Sequence, residues 1–156
     1  MTRTLAVGFA LALALTLPAA DWPQFLGPTR DGQSPETKLN WDWPKDGPPV
    51  AWKLDVGSGW ASPVVADGKV LLFHRVQDDE VLVALDPETG KEKWTAKYAT
   101  KYRDDFGFDN GPRATPCVHD GKVFTLGANG NLHAFDLATG KVLWARDVRD
   151  EYKAAK

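Results

Sequence analysis

The chain writes one phrase twice. "ALDPETGKEKW" at Ala84–Trp94 returns as "AFDLATGKVLW" at Ala134–Trp144. The match extends upstream, where "ASPVVADGKVLLF" (Ala61–Phe73) pairs with "ATPCVHDGKVFTL" (Ala114–Leu126). The upstream blocks are offset by 53 residues and the downstream blocks by 50, so a difference of three falls in "HRVQDDE" (His74–Glu80) against "GANG" (Gly127–Gly130). An insertion confined to a connection marks tandem structural units, because packed elements resist a change of length that a loop absorbs.

Each unit reads as four short strands. "PVVA" and "KVLLF" flank Asp67-Gly68, and "PCVH" and "KVFTL" flank Asp120-Gly121. Asp-Gly between β-rich runs predicts a two-residue hairpin, since both central positions need positive φ. The third strands are "EVLVALD" and "NLHAFD". They lead into "DPETGK" and "DLATGK", where the first Asp accepts backbone N–H groups ahead of it and Gly90 or Gly140 takes the left-handed position. Asp86, Thr89, Asp136 and Thr139 are thus turn residues rather than catalytic ones. The fourth strands end on Trp94 and Trp144. A buried Trp removes ~150–250 Å² from water, worth up to about 4–6 kcal/mol, enough to tie each unit to the next.

Four strands per repeat of about 50 residues, with a Trp near each seam, describe propeller blades. "SPVV.DGKV" followed by "LDPETGKEKW" resembles the quinoprotein (PQQ-like) repeat of eight-bladed propellers. "DWPQFLGPTRDGQSPE" resembles the N-terminal lead of exported PQQ-like repeat proteins of a planctomycete type. The resemblance covers about Asp21–Val148 and implies an all-β fold: a partial propeller of two four-stranded antiparallel blades plus an N-terminal outer strand. Such a repeat specifies fold more than activity.

The opening "MTRTLAVGFALALALTLPAA" has Arg3, an apolar run from Leu5 to Leu17 and small residues before Asp21. That is the pattern of a secretory signal peptide cut near Ala19 or Ala20. Its run of about 13 apolar residues falls short of the ~20 that span a bilayer. An exported protein, periplasmic or secreted, with no transmembrane segment in the mature chain is expected. The net charge of −2, with both signs interspersed, shows no basic stripe for nucleic acid. Cys117 is the single cysteine, so no disulfide forms within the chain.

The expected layout is a signal peptide over 1–20, an extended lead over 21–49 and an outer strand of an incomplete blade over 50–60. The first blade follows over 61–98, the interblade loop and second blade over 99–148, and a truncated connection over 149–156. Two blades do not close a ring. One uncovered face of about six apolar side chains forfeits on the order of 10 kcal/mol, comparable with a domain's whole stability of roughly 5–15 kcal/mol. The chain is therefore expected to be the N-terminal part of a longer protein, with the C-terminal blades its first partner. Several copies assembling one ring is the alternative.

Propeller ligands usually sit at one mouth of the channel, on the loops between blades. The candidate segment is "KYRDDFGFDNGPR" (Lys101–Arg113). Its Arg113, Asp109 and Asn110, together with Trp60 at the position matching Arg113, are the candidate ligand-binding residues. The plainer reading is a solvated loop whose Arg–Asp pairs are worth ~0–1 kcal/mol. No catalytic residue is singled out. His74, His119 and His133 lack any ligating spacing, so no metal site is expected. "GANGN" (Gly127–Asn131) has no following helix to make a phosphate cradle.

Three functions compete: a binding scaffold for a protein or small molecule, similar to outer-membrane assembly lipoproteins of the same repeat; a PQQ-dependent, alcohol-dehydrogenase-like oxidoreductase; and an enzyme of another class on the propeller platform. The resemblance implies PQQ with Ca²⁺ as the cofactor of the second. Many PQQ alcohol dehydrogenases carry adjacent cysteines in the early blades, whereas Cys117 here is followed by Val118. The lipid-attachment cysteine of the lipoproteins is absent too. The scaffold is the preferred reading.

Overall fold

The computed structural model describes residues 20–154; the signal-peptide reading falls on residues 1–19, outside them. The chain folds into two four-stranded sheets in strict chain order, β1-β2-β3-β4 and β5-β6-β7-β8, with antiparallel pairing throughout. The first comprises β1 (Val64–Ala66), β2 (Lys69–Val76), β3 (Asp79–Leu85) and β4 (Glu92–Ala99). The second comprises β5 (Cys117–His119), β6 (Lys122–Leu126), β7 (Asn131–Asp136) and β8 (Val142–Asp147). This is the partial propeller that the repeat predicts.

Local chemistry sets each turn. Asp67 and Asp120 both sit at φ 48°, each followed by a glycine at positive φ, as a tight hairpin requires. Asp86 Oδ1 accepts from the Thr89 backbone N–H and hydroxyl at 3.0 and 2.9 Å, and Asp136 Oδ1 does the same with Thr139 at 2.8 and 2.6 Å. The three-residue insertion does not lengthen the connection as expected: residues 77–78 join β2 to β3 whereas 127–130 join β6 to β7, so the extra residues extend the paired strands β2 and β3 instead.

The seam is built around indole rings. Trp94, 9% exposed, donates from Nε1 to the Leu137 carbonyl at 3.1 Å and lies flat against Gly140. A Cβ at Gly140 would overlap the ring, and its φ of 71° already disfavours any other residue. Trp52 repeats the arrangement one step earlier, donating to the Pro87 carbonyl at 2.8 Å against Gly90. Around Trp94, the core residues Val64, Leu71, Phe73 and Leu82 of the first sheet join Val123, Phe135 and Leu137 of the second in one cluster. Trp144 differs. It is 40% exposed and rests on Phe124 of its own sheet, with ring centroids 6.0 Å apart. Its outward face meets no further sheet among the described residues.

Two segments depart from the expected layout. Val50–Trp60 runs extended beside the first sheet without a strand ladder; only Ser58 pairs, bridging to Arg75. The connection from residue 149 begins as one helical turn, α1 (Val148–Tyr152), because Asp147 caps it by accepting from the Arg149 and Asp150 N–H groups.

Candidate functional site

The interblade connection between β4 and β5 is wrapped around a buried cation. Arg75, at the end of β2, is 4% exposed. Its Nη1 donates to the carbonyls of Tyr102 (2.7 Å) and Asn110 (3.0 Å), its Nε to the Gln77 carbonyl (2.7 Å), and its Nη2 to Asp78 Oδ1 (2.9 Å). One guanidinium thus gathers both ends of the loop.

Asp104 forms the second hub. Its carboxylate accepts from the Phe108 N–H at 2.7 Å, Arg113 Nη2 at 2.9 Å and the Tyr102 hydroxyl at 3.3 Å. The Phe108 N–H, then the Tyr102 hydroxyl and the Arg113 charge, hold it below the usual carboxylate range. Asn110 Oδ1 accepts the Asp104 N–H at 2.8 Å, and Asp109 Oδ1 accepts the Gly111 N–H. Arg113 also donates to the Asp109 carbonyl at 3.0 Å and stacks over the Tyr102 ring at 5.2 Å. Trp60 joins the cluster through its backbone N–H, which donates to the Pro112 carbonyl at 2.8 Å.

The structure therefore brings Trp60, Asp109, Asn110 and Arg113 together and bonds one side-chain polar atom of each of the last three within the loop, while Asn110 and Arg113 remain exposed. Outward the loop offers two phenyl rings set among the exposed charges of Lys101, Arg103 and Asp105. Phe106 is 83% exposed, Phe108 and Trp60 are also exposed, and the two phenyl rings lie 6.3 Å apart. Beside them a cleft of about 580 Å³ runs between Lys101–Phe106 and the β6–β7 hairpin at Ala128–Asn129, with Arg149 on its far wall.

A second buried polar group fixes the loop's floor. Glu80 on β3 is fully buried, and its Oε1 accepts the Ala128 N–H of the neighbouring blade at 2.7 Å. Next to it, Tyr98 stacks on His133 across the seam at 4.0 Å. Burial, then the Glu80 charge, pushes the Tyr98 hydroxyl above the ordinary phenol range, and burial lowers His133. Arg75 and Glu80 are register partners on adjacent strands. The turn at Gln77-Asp78 sets them opposite one another, but nothing in "RVQDDE" announces their burial.

The family model described as outer membrane protein assembly factor BamB matches residues 44–155. The chain belongs to this family of PQQ-like propellers. Among its relatives, the outer membrane protein assembly factor BamB of Moranella endobia (strain PCIT) is 29% identical over 64% of this chain and 37% of its own length. The 1-butanol dehydrogenase (cytochrome c) of Thauera butanivorans is 32% identical over 64% of this chain and 14% of its own. Among solved structures, the quinohemoprotein alcohol dehydrogenase from Comamonas testosteroni superposes with a TM-score of 0.59 at 29% identity, covering 83% of this chain and 20% of that one. This PQQ-like chain spans little more than a third of the assembly factor and a far smaller part of the dehydrogenases.

The residues present do not fit the quinone and calcium that some PQQ-like propellers imply. Asp104 and Asn110 spend their side-chain acceptors inside the loop, Asp109 commits one carboxylate oxygen to Gly111, and Arg113 is paired with Asp104. Among the described residues, no three His, Cys, Asp or Glu side chains converge on one point. No helix among them is long and apolar enough to cross a membrane.

Proposed function

We propose that this is an exported PQQ-like propeller, periplasmic or secreted, that acts as a scaffold binding a protein partner at the mouth carrying the Lys101–Arg113 loop. One observation carries the reading: Phe106 and Phe108 stand in solvent on a loop whose polar groups are largely bonded to one another. A pre-ordered loop presenting aromatic side chains loses little entropy on binding, and aromatic residues, Phe among them, are enriched at protein interfaces. Trp60, Asp109, Asn110 and Arg113 contribute to the same surface, Arg113 mainly by holding the loop in shape. The further blades of a closed propeller, from sequence beyond this chain, are its first structural partner. A small molecule in the cleft beside Phe106 is the lesser variant of this reading.

A second reading has its own support. The likeness to the Thauera dehydrogenase and the Comamonas quinohemoprotein favours a PQQ-dependent alcohol oxidoreductase whose cofactor contacts come chiefly from other blades. One pair of experiments separates them. A photo-crosslinking residue at position 106 of the whole protein, expressed in its native host, is expected to trap one defined protein, and Phe108→Ser to abolish the adduct. Titration with PQQ and Ca²⁺ is expected to leave the visible spectrum unchanged. A bound quinone with dye-linked alcohol oxidation, and no adduct, overturns the scaffold.

A further inference from the structure

The first strand of each sheet, β1 or β5, bonds on one side to the next strand; in a closed propeller the other edge of such an innermost strand faces the central channel. In this chain those axial edges are taken by the lead. Trp22 pairs with Val65 through both backbone bonds, N–H to carbonyl at 2.8 Å and the reverse at 3.0 Å. One residue later, the Pro23 carbonyl accepts the Val118 N–H of β5 at 2.8 Å. Two consecutive lead residues thus bond to two different blades.

The flanking contacts fix the direction of travel. Asp21 Oδ2 accepts the Asp67 N–H at the β1–β2 turn, at 3.3 Å. Gln24 reaches Cys117, with Oε1 3.8 Å from the sulfur. Phe25 and Leu26 share a shallow cleft with Thr115 and Pro116, where the chain enters β5. The lead therefore climbs the axial wall from the hairpin end to the loop end. There it closes on itself. Arg30 Nε and the Pro28 carbonyl bond the Gln24 amide at 3.1 and 3.3 Å, and the Gly32 N–H reaches the Leu26 carbonyl at 2.9 Å. Gly27, at φ 78°, lies against the Trp22 indole so closely that a Cβ would come within 2.7 Å of the ring. The fold of the turn and the docking of Trp22 are one structure.

We infer that residues 21–32 form an inner strap, which lies on the axis-facing edges of the first two blades, staples their seam from inside and narrows the channel along their wall. The strap complements the indole pins, which close the same seam from the outer strands. It blunts two strand edges that would otherwise be free to pair with another chain. It also carries Phe25 and Leu26, both exposed, to the rim on the loop side. The strap does this whatever the mouth binds.

The test needs no ligand. In the whole protein, hydrogen exchange is expected to show the Val65 and Val118 amides protected, since each donates only to the strap. In Gly27→Val, both should exchange at least about tenfold faster through local opening, with β2–β3 amides unchanged. A second variant works by gain of a bond. Gln24→Cys is expected to form a disulfide with Cys117 on mild oxidation, removing both free thiols from the monomer. Fast exchange at Val65 and Val118 in the unmodified protein, or a Gln24→Cys variant that keeps both thiols, overturns the strap. If Gly27→Val unfolds the protein, the wild-type exchange and the disulfide decide alone.

Discussion

Glu80 and His74 show how single polar residues tie the first blade to what lies beside it, Glu80 to the second blade and His74 to the segment before the first. Glu80 is fully buried and serves the Ala128 N–H of the next blade. Glu80→Ala strands that donor, and the expected loss is roughly 1–3 kcal/mol, the range for a buried donor left without its partner. Glu80→Gln keeps an acceptor and should cost distinctly less; urea denaturation of the two variants checks the order. His74 Nδ1 accepts the Gly57 N–H at 2.8 Å, so the segment before the first blade depends on a neutral imidazole. Burial holds His74 below its ordinary 6.5. The unfolded chain therefore takes up the proton first as pH falls. Stability from this group is full above about 6.5 and is lost on acidification, by at most about 1.4 kcal/mol per pH unit. His133 acts in the same direction. Denaturation midpoints at pH 7.5 and 5.5 should show the decline, and His74→Asn should shrink it. None of this was legible in the sequence. A lone His, Arg or Glu in an alternating strand looks solvated until the face it points to is known.

At the scale of turns and strands the sequence was far more informative, and the reason is geometric. Asp67-Gly68 and Asp120-Gly121 demand a conformation that few residue pairs adopt. The Asp86 and Asp136 turns are closed by hydrogen bonds between residues three apart. Such features are local and can be read without tertiary knowledge. The second task of Gly140 is less local. It supplies positive φ to its turn and also the flat surface that receives Trp94. Gly140→Ala meets both objections at once, and a loss of roughly 1–3 kcal/mol is expected from the backbone alone, with more from the displaced indole. Thermal unfolding followed by Trp fluorescence gives both readouts: a lower midpoint, and a red-shifted native spectrum if the ring leaves its seat. Val50–Trp60 shows where local reading stops. Its residues have the pattern of an outer strand, but a strand needs a neighbour, and among the described residues only Ser58 finds one, on Arg75. The candidate loop behaves the same way. Its charged residues were visible as a cluster, while their mutual satisfaction around Arg75 and Asp104 became visible only in three dimensions.

For the whole molecule, the three indoles at equivalent positions form a series. Trp52 docks on the turn at Gly90, Trp94 docks on the turn at Gly140, and Trp144 has no such turn to meet among the described residues. If docking on the next blade is what makes these residues count, their energetic worth must differ within this chain despite identical chemistry. Trp94→Ala should cost about 3–5 kcal/mol, as for a buried aromatic truncated in a core. Trp144→Ala, losing mainly its contact with Phe124, should cost about 1 kcal/mol, the centre of the range for single substitutions. The inequality depends on the neighbour and not on the residue. In a protein that carries further repeats after residue 156, the cost of Trp144→Ala should therefore rise to match that of Trp94→Ala. Urea denaturation of both variants, in the 156-residue chain and in the longer protein, measures all four values. Equal costs within the short chain would mean that each indole acts inside its own sheet, and that the seam between blades is not held by its indoles.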